Sequence, residues 1–494
     1  MKQDKLEKII SIVPSTRQKS IQREPFNAFI HYGINTFAGK EWSDGTLSPS
    51  LFNPTEQDTD QWVKVLKYAG VKGIIFTAKH HDGFCMWQTK TTEYSIKNSP
   101  YKNGRGDVVR EVSDSCKKYG VKFGIYLSPW DRNSKYYGTP EYDDFYLEQL
   151  TELLTGYGEI FTIWLDGACG AEGDGKERQK YDFKRYFSLI RKLSPKTLIS
   201  NCGPDVRWVG NENGMARKSE WNVIPMLENS EEYVMNASQK TESQNMKKVL
   251  VEKDILAKDI GSREYLDEFE DFVWSPAEVD VSIRPGWFYH KNQDHRVRSV
   301  RNLLKIYLNS VGGNSLLLLN VPPDTTGRIC DVDVARIIKL GNRINSMFSR
   351  QVSIDSITAP EHENGNKIRN VLNYSYNKNS FDATSYYTPQ NESAVYTINL
   401  KFNDARKIDK VRLVENVAFS QRIESYRIYT EIKGKQVLLF KGTNVGYNRV
   451  AILNKVVTTD NLSIIIDKCR SKPYIEHIAV YESDGKRIPR PFIL

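Results

Sequence analysis

Asp166 ends the near-continuous apolar run Ile160-Phe161-Thr162-Ile163-Trp164-Leu165 and is followed by the turn Gly167-Ala168. A buried parallel strand needs apolar residues on both faces, so an acid on its last position would carry a heavy desolvation cost inside the core. Its place is the cleft that strand ends define. The other groups with chemical potential are carboxylates (Glu41, Glu220, Glu278), hydrogen-bonding histidines (His31, His80, His81) and many Trp and Tyr residues. That inventory suits a sugar: aromatic faces stack on C–H patches, polar side chains take the hydroxyls, and paired carboxylates can supply nucleophile and general acid for glycoside cleavage.

Two other chemistries lack their residues. A metal-dependent barrel hydrolase needs several His and carboxylate ligands converging from different strands. Here the first strand offers only His31, and the fourth and fifth strand ends offer Asp166 and Asn201-Cys202. A phosphate site needs a Gly-rich turn that opens a helix, whereas Val311-Gly312-Gly313-Asn314 precedes a strand-like run. Neither metal nor cofactor is expected.

The elements that must position these groups repeat one arrangement. Apolar runs at Phe26 to Ile30, Gly73 to Ala78, Phe123 to Leu127, Ile160 to Leu165 and Thr197 to Ser200 each lead into polar or aromatic residues. Weaker candidates follow at Ser219-Glu220-Trp221, Arg284 to His290 and Ser315 to Pro322, making eight. Helical periodicity lies between several of them, at Asp58 to Ala69, Val108 to Tyr119, Tyr142 to Leu154, Phe183 to Leu193 and Val297 to Leu308. Strand and helix alternating over this length predict a (β/α)8 TIM-like barrel with its active site at the C-terminal strand ends. The polar stretch around 222–272 is too long for one barrel connection and reads as an inserted loop region bordering the cleft.

The chain has 494 residues, more than one barrel requires, which predicts a second domain. After about Ser349, short alternating segments separated by Asn, Asp, Gly and Lys clusters predict an all-β sandwich. The expected division is a catalytic barrel over residues 1–348 and a sandwich over 349–494. A balance of 70 basic against 61 acidic residues is spread along both halves and forms no basic stripe, so no nucleic-acid partner is expected. No apolar run approaches a membrane-spanning length, so no membrane partner is expected either. Six widely spaced cysteines without a C-x-x-C pair read as isolated thiols. Met1-Lys2-Gln3-Asp4-Lys5 begins no signal-peptide apolar region.

Several segments together resemble glycoside hydrolase family 29, the α-L-fucosidases: Phe29 to Phe37, Glu41-Trp42, Thr77 to Phe84, Trp164 to Ala168 and Ser219-Glu220-Trp221. The resemblance spans the barrel in order. Around Arg217 to Trp221 and Arg284 to His290 it is most similar to the α-1,3/1,4-specific branch, and the tail resembles galactose-binding-like sandwiches. It implies a retaining exo-α-L-fucosidase acting on a fucosylated oligosaccharide, with Asp166 as nucleophile and Glu220 as general acid/base. It also implies substrate contacts from His31, Glu41, Trp42, His80, His81, Tyr126, Trp164, Arg217 and Trp287. Competing uses stay open. Asp166 could serve as a helix N-cap, Glu278 competes with Glu220 for the acid role, and adjacent His80 and His81 would point to opposite faces if extended. The alternatives in function are a broad-specificity fucosidase and a catalytically weak fucose-binding protein.

Overall fold

The computed structural model describes residues 1–170, 178–226, 259–373 and 385–490. Six strands come first: β1 (Phe26–Ile30), β2 (Gly73–Lys79), β3 (Lys122–Leu127), β4 (Thr162–Leu165), β5 (Leu198–Asn201) and β6 (Arg207–Trp208). A small antiparallel pair, β7 (Val223–Pro225) and β8 (Phe272–Trp274), precedes β9 (Ala277–Ser282) and β10 (Leu316–Asn320). All but that pair form one parallel sheet in the order β5-β4-β3-β2-β1-β10-β9-β6. A parallel bridge between Ser200 and Val206, with Asn201 N–H donating to Val206 O at 3.0 Å, brings its two edges together into a barrel.

The helices outside the barrel begin where the sequence places caps. Side chains of Asp58, Asp107, Asp182 and Ser299 each accept from the backbone N–H three residues on, opening helices Thr59–Tyr68, Val108–Tyr119, Phe183–Leu193 and Val300–Ser310. Gly120 closes the second of these in the left-handed region at φ 63°.

The sixth and seventh strands depart from expectation. Neither Ser219-Glu220-Trp221 nor Arg284 to His290 is a strand; those places in the barrel belong to Arg207–Trp208 and Ala277–Ser282. The first is only two residues long, and the second carries Glu278 and Asp280 among its buried residues, so neither reads as an apolar run. Strict alternation also fails between β5 and β6, which residues 202–206 join without a helix. Of the inserted region expected around 222–272, residues 227–258 lie outside the described residues.

Beyond helix Asp331–Phe348 the chain turns to antiparallel structure: β11 (Ile354–Thr358), β12 (Tyr396–Glu415), β13 (Ile423–Ile432), β14 (Lys435–Gly442), β15 (Arg449–Cys469) and β16 (Ile475–Glu482). Register shifts interrupt the long β12 and β15. Apolar residues of all six strands meet in a separate core that includes Ile357, Leu413, Ile428, Leu439, Ile464 and Ile478. This β-sandwich packs against the N-terminal end of the barrel. Its Val417 and Tyr447 join Leu198 and Leu316, the first residues of β5 and β10, in one apolar cluster. Val450 N–H donates to Gly312 O at 2.8 Å. The C-terminal strand ends lie at the other end of the barrel.

Candidate active site

At those ends, β4 delivers Asp166. Its Oδ1 accepts from Ala168 N–H at 2.8 Å, which fixes the turn, and its Oδ2 accepts from the Tyr126 hydroxyl at 2.9 Å. His81 Nε2 lies 3.9 Å from the same oxygen. Tyr126 stacks on Trp164 with ring centroids 5.4 Å apart, and both pack on Phe29, Ile75 and Leu318 inside the barrel.

β2 ends irregularly, with a register shift between Thr77 and Lys79. The strand ends at Lys79, and the rings of His80 and His81 just beyond it lie 4.2 Å apart instead of on opposite faces. Beneath them Lys79 Nζ is buried, donating to Asp131 and Gln149 at 2.9 Å each. His31 at the end of β1 has its Nδ1 2.9 Å from Asn320 Oδ1 and its ring 5.6 Å from His80. Burial lowers the His31 pKa to about 4 and, with the neighbouring histidines, holds His80 well below its ordinary value. Both are neutral hydrogen-bonding groups near pH 7, suited to sugar hydroxyls.

The segment from Arg284 to His290 forms another wall. Arg284 is buried and donates to Asp333 at 2.7 Å and Asp294 at 2.9 Å, which pins the loop base. Glu41 accepts from Trp287 N–H at 2.7 Å and lies 2.6 Å from His290 Nε2. Asn320 Nδ2 donates to Trp287 O at 2.8 Å. Trp42 projects at the rim with 51% of its surface exposed, its ring 5.7 Å from both His81 and Trp130.

Of the sequence-derived residues, Asp166, His31, Glu41, Trp42, His80, His81, Tyr126, Trp164 and Trp287 come together at this mouth. Glu220 and Arg217 do not. Glu220 is completely buried, held by Arg207 on β6 and by Arg217 Nη1 at 3.3 Å. Its backbone carbonyl accepts from Asn314, which precedes β10, at the barrel's N-terminal end. Burial opposes its ionisation, but Arg217 and Arg207 outweigh that and lower its pKa. It is therefore an ionised carboxylate remote from the cleft, contrary to the protonated acid expected of it. Arg217 is spent on Glu220 and Val209 O instead of substrate. Glu278 lies deep in the barrel, one residue from the start of β9, accepting from Trp164 Nε1 at 2.8 Å.

The acid that does face Asp166 is Glu212, in the turn Gly210-Asn211-Glu212-Asn213-Gly214 after β6. It is solvent-exposed at the cleft mouth, and its Oε2 accepts from Trp287 Nε1 at 3.3 Å. Partial desolvation first, then the Asp166 charge, raise its pKa; the Trp287 bond offsets part of this. Asp280, accepting from Trp208 Nε1 at 2.6 Å, lies close enough to feel the Glu212 charge, and burial raises its own pKa well above the ordinary range. Sequence inspection passed over Glu212 because its strand is two residues long. The short alternation Val206-Arg207-Trp208-Val209 before a Gly-Asn turn was the available signal. Among the described residues, no group of three or more His, Cys, Asp or Glu could hold a metal ion.

An aromatic-walled barrel mouth carrying two carboxyls, Asp166 and Glu212, defines a sugar-cleaving barrel enzyme. The family model described as alpha-L-fucosidase matches residues 15–346. Alpha-L-fucosidase 1 of Arabidopsis thaliana is 37% identical over 482 residues, 95% of this chain and 87% of the relative. The crystal structure of a putative alpha-L-fucosidase from Bacteroides ovatus superposes with a TM-score of 0.83 at 38% identity, covering 98% of this chain and 76% of that one. A Ruminococcus gnavus GH29 fucosidase in complex with fucose superposes with a TM-score of 0.80 at 29% identity, covering 96% of each chain. The chain belongs to the α-L-fucosidase family, glycoside hydrolase family 29, whose substrates are fucosylated glycans.

Proposed function

We propose that this enzyme is an exo-acting, retaining α-L-fucosidase in which Asp166 attacks the anomeric carbon and Glu212 serves as general acid and then general base. The residues of the cleft support a division of labour: Asp166 is oriented by Ala168 N–H and the Tyr126 hydroxyl, while Glu212 has the raised pKa that a proton donor needs. The observation that carries this reading is Glu212 lying near Asp166 and bonded to Trp287, while Glu220 is sealed under the barrel. In the first step the Asp166–C1 bond forms as the glycosidic bond breaks, and Glu212 gives its proton to the leaving oxygen. In the second, Glu212 takes a proton from water, which displaces Asp166.

The linkage we propose is α-1,3/1,4 on a branched acceptor. The Arg284 to His290 wall, which carries that resemblance, borders the mouth, and the exposed face of Trp42 offers a platform for a second sugar. We also propose residues 1–348 as the catalytic unit and 349–494 as the sandwich unit.

The test is Glu212→Ala assayed on branched oligosaccharides and on a dinitrophenyl fucoside, with added azide. Oligosaccharide turnover should fall by roughly 10²–10⁴, the activated substrate should still be cleaved in the first step, and azide should yield α-fucosyl azide. An oligosaccharide rate equal to wild type would overturn the acid assignment. Release of fucose from α-1,2 or α-1,6 linkages as fast as from α-1,3/1,4 linkages would overturn the linkage proposal.

A further inference from the structure

We propose that Glu220 is a positioning residue, an ionic staple beneath the barrel that closes the Glu212-bearing loop and is itself held by the sandwich. This rests on Glu212 being the general acid.

The loop has two legs, and Glu220 holds both. Arg207, on β6 where the chain enters the loop, donates to Glu220 Oε1. Arg217, where the chain returns, donates to the same oxygen from Nη1 at 3.3 Å and to Oε2 from its backbone N–H at 3.2 Å. Arg217 Nη1 also reaches Val209 O on the entering leg at 3.3 Å. Between the legs the turn is tied around the neighbour of Glu212: Asn211 Nδ2 donates to Met215 O at 3.0 Å, and Asn211 Oδ1 accepts from Asn213 N–H at 3.1 Å. The legs are thus crosslinked through one carboxylate, and the tip carrying Glu212 extends from that crosslink toward Trp287.

The sandwich supplies the anchorage. The Glu220 carbonyl accepts from Asn314 Nδ2 at 2.8 Å and from two sandwich side chains, Gln421 Nε2 at 3.3 Å and Asn444 Nδ2. Gln421 Oε1 accepts from Asn222 N–H at 3.0 Å, and Lys218 O accepts from Thr443 Oγ1 at 3.0 Å. A buried ion cluster gains little net stability over apolar packing, because both partners are desolvated. Its use here is geometric: charge-assisted bonds in fixed directions hold two chain segments in one register. Arg217 and Arg207 favour the ionised form of Glu220 against its burial, which keeps the crosslink charge-assisted.

The experiment compares Glu220→Gln, Arg217→Lys and Asn444→Ala with Glu212→Ala, on an unactivated fucosyl oligosaccharide and on a dinitrophenyl fucoside. A misplaced acid harms only the substrate whose leaving group needs a proton. Glu220→Gln and Arg217→Lys should lose roughly 10–100-fold in kcat on the oligosaccharide and less than about 3-fold on the activated fucoside. KM should change little, the alkaline limb of the oligosaccharide pH profile should move, and azide should give no fucosyl azide. Asn444→Ala, which leaves the ion cluster in place, should show the same selectivity at about 3–10-fold and covers the case in which Glu220→Gln fails to fold. Equal losses on both substrates, or none on either, would overturn the staple while leaving Glu212 as the acid. Azide rescue to α-fucosyl azide in Glu220→Gln, and not in Glu212→Ala, would overturn the Glu212 assignment and the staple together.

Discussion

Glu278 shows how burial retunes a carboxyl inside the barrel. Burial raises Glu278 from 4.5 to about 7, so the native state keeps a proton that the unfolded chain has lost between those values. Stability should therefore fall as pH rises from 4.5 to about 7 and stay reduced above that. Glu278→Gln keeps an oxygen for Trp164 and removes the dependence. It should stabilise the protein by on the order of 3 kcal/mol near pH 8 and by almost nothing near pH 4, read as the difference in unfolding free energy. An equal effect at both pH values would contradict a protonated Glu278. Asp166 was legible in the sequence because an acid after an apolar run has nowhere else to go. Glu212 was not, since its strand has no run to announce it, and the buried Glu220 took its place in the motif reading.

The wall from Arg284 to His290 acts through its backbone. A Cβ on Gly286 would stand 2.1 Å from Glu41 Oε1, so Gly286→Ala must displace either Glu41 or the loop. Because Trp287 N–H and His290 both depend on Glu41, KM for fucosides should rise about tenfold with a smaller change in kcat. Steady-state kinetics with unchanged KM would show that this contact does not shape the pocket. The element-level reading succeeded where strands were apolar on both faces, as in β1 to β5 and β10, and where helical periodicity was clear, as over Val108–Tyr119 and Phe183–Leu193. It failed at β6 and β9, where Arg207, Trp208, Glu278 and Asp280 occupy the barrel wall and give no apolar period. His80 and His81 would have diverged only in an extended segment, and the strand ends at Lys79, before them.

At the scale of the molecule, barrel and sandwich share an apolar cluster and buried hydrogen bonds at Glu220, Asn222 and Gly312. They should unfold together, giving one calorimetric transition whose van't Hoff and calorimetric enthalpies agree. Two separated transitions, with activity surviving the first, would show that the sandwich is dispensable to the site. The shift from helical to alternating patterning near Ser349 made a second unit visible in the sequence; its docking beneath the barrel depends on side chains far apart in the chain, such as Asn444 and Glu220, which no local pattern links. A retaining mechanism requires Asp166 to carry a covalent fucosyl intermediate. Trapping with a slow fluorinated fucosyl fluoride, followed by peptide mapping by mass spectrometry, tests it most directly. One fucosyl adduct per chain, on Asp166, is the predicted result; an adduct on another carboxylate, or hydrolysis that inverts the anomeric centre with no adduct, would contradict it.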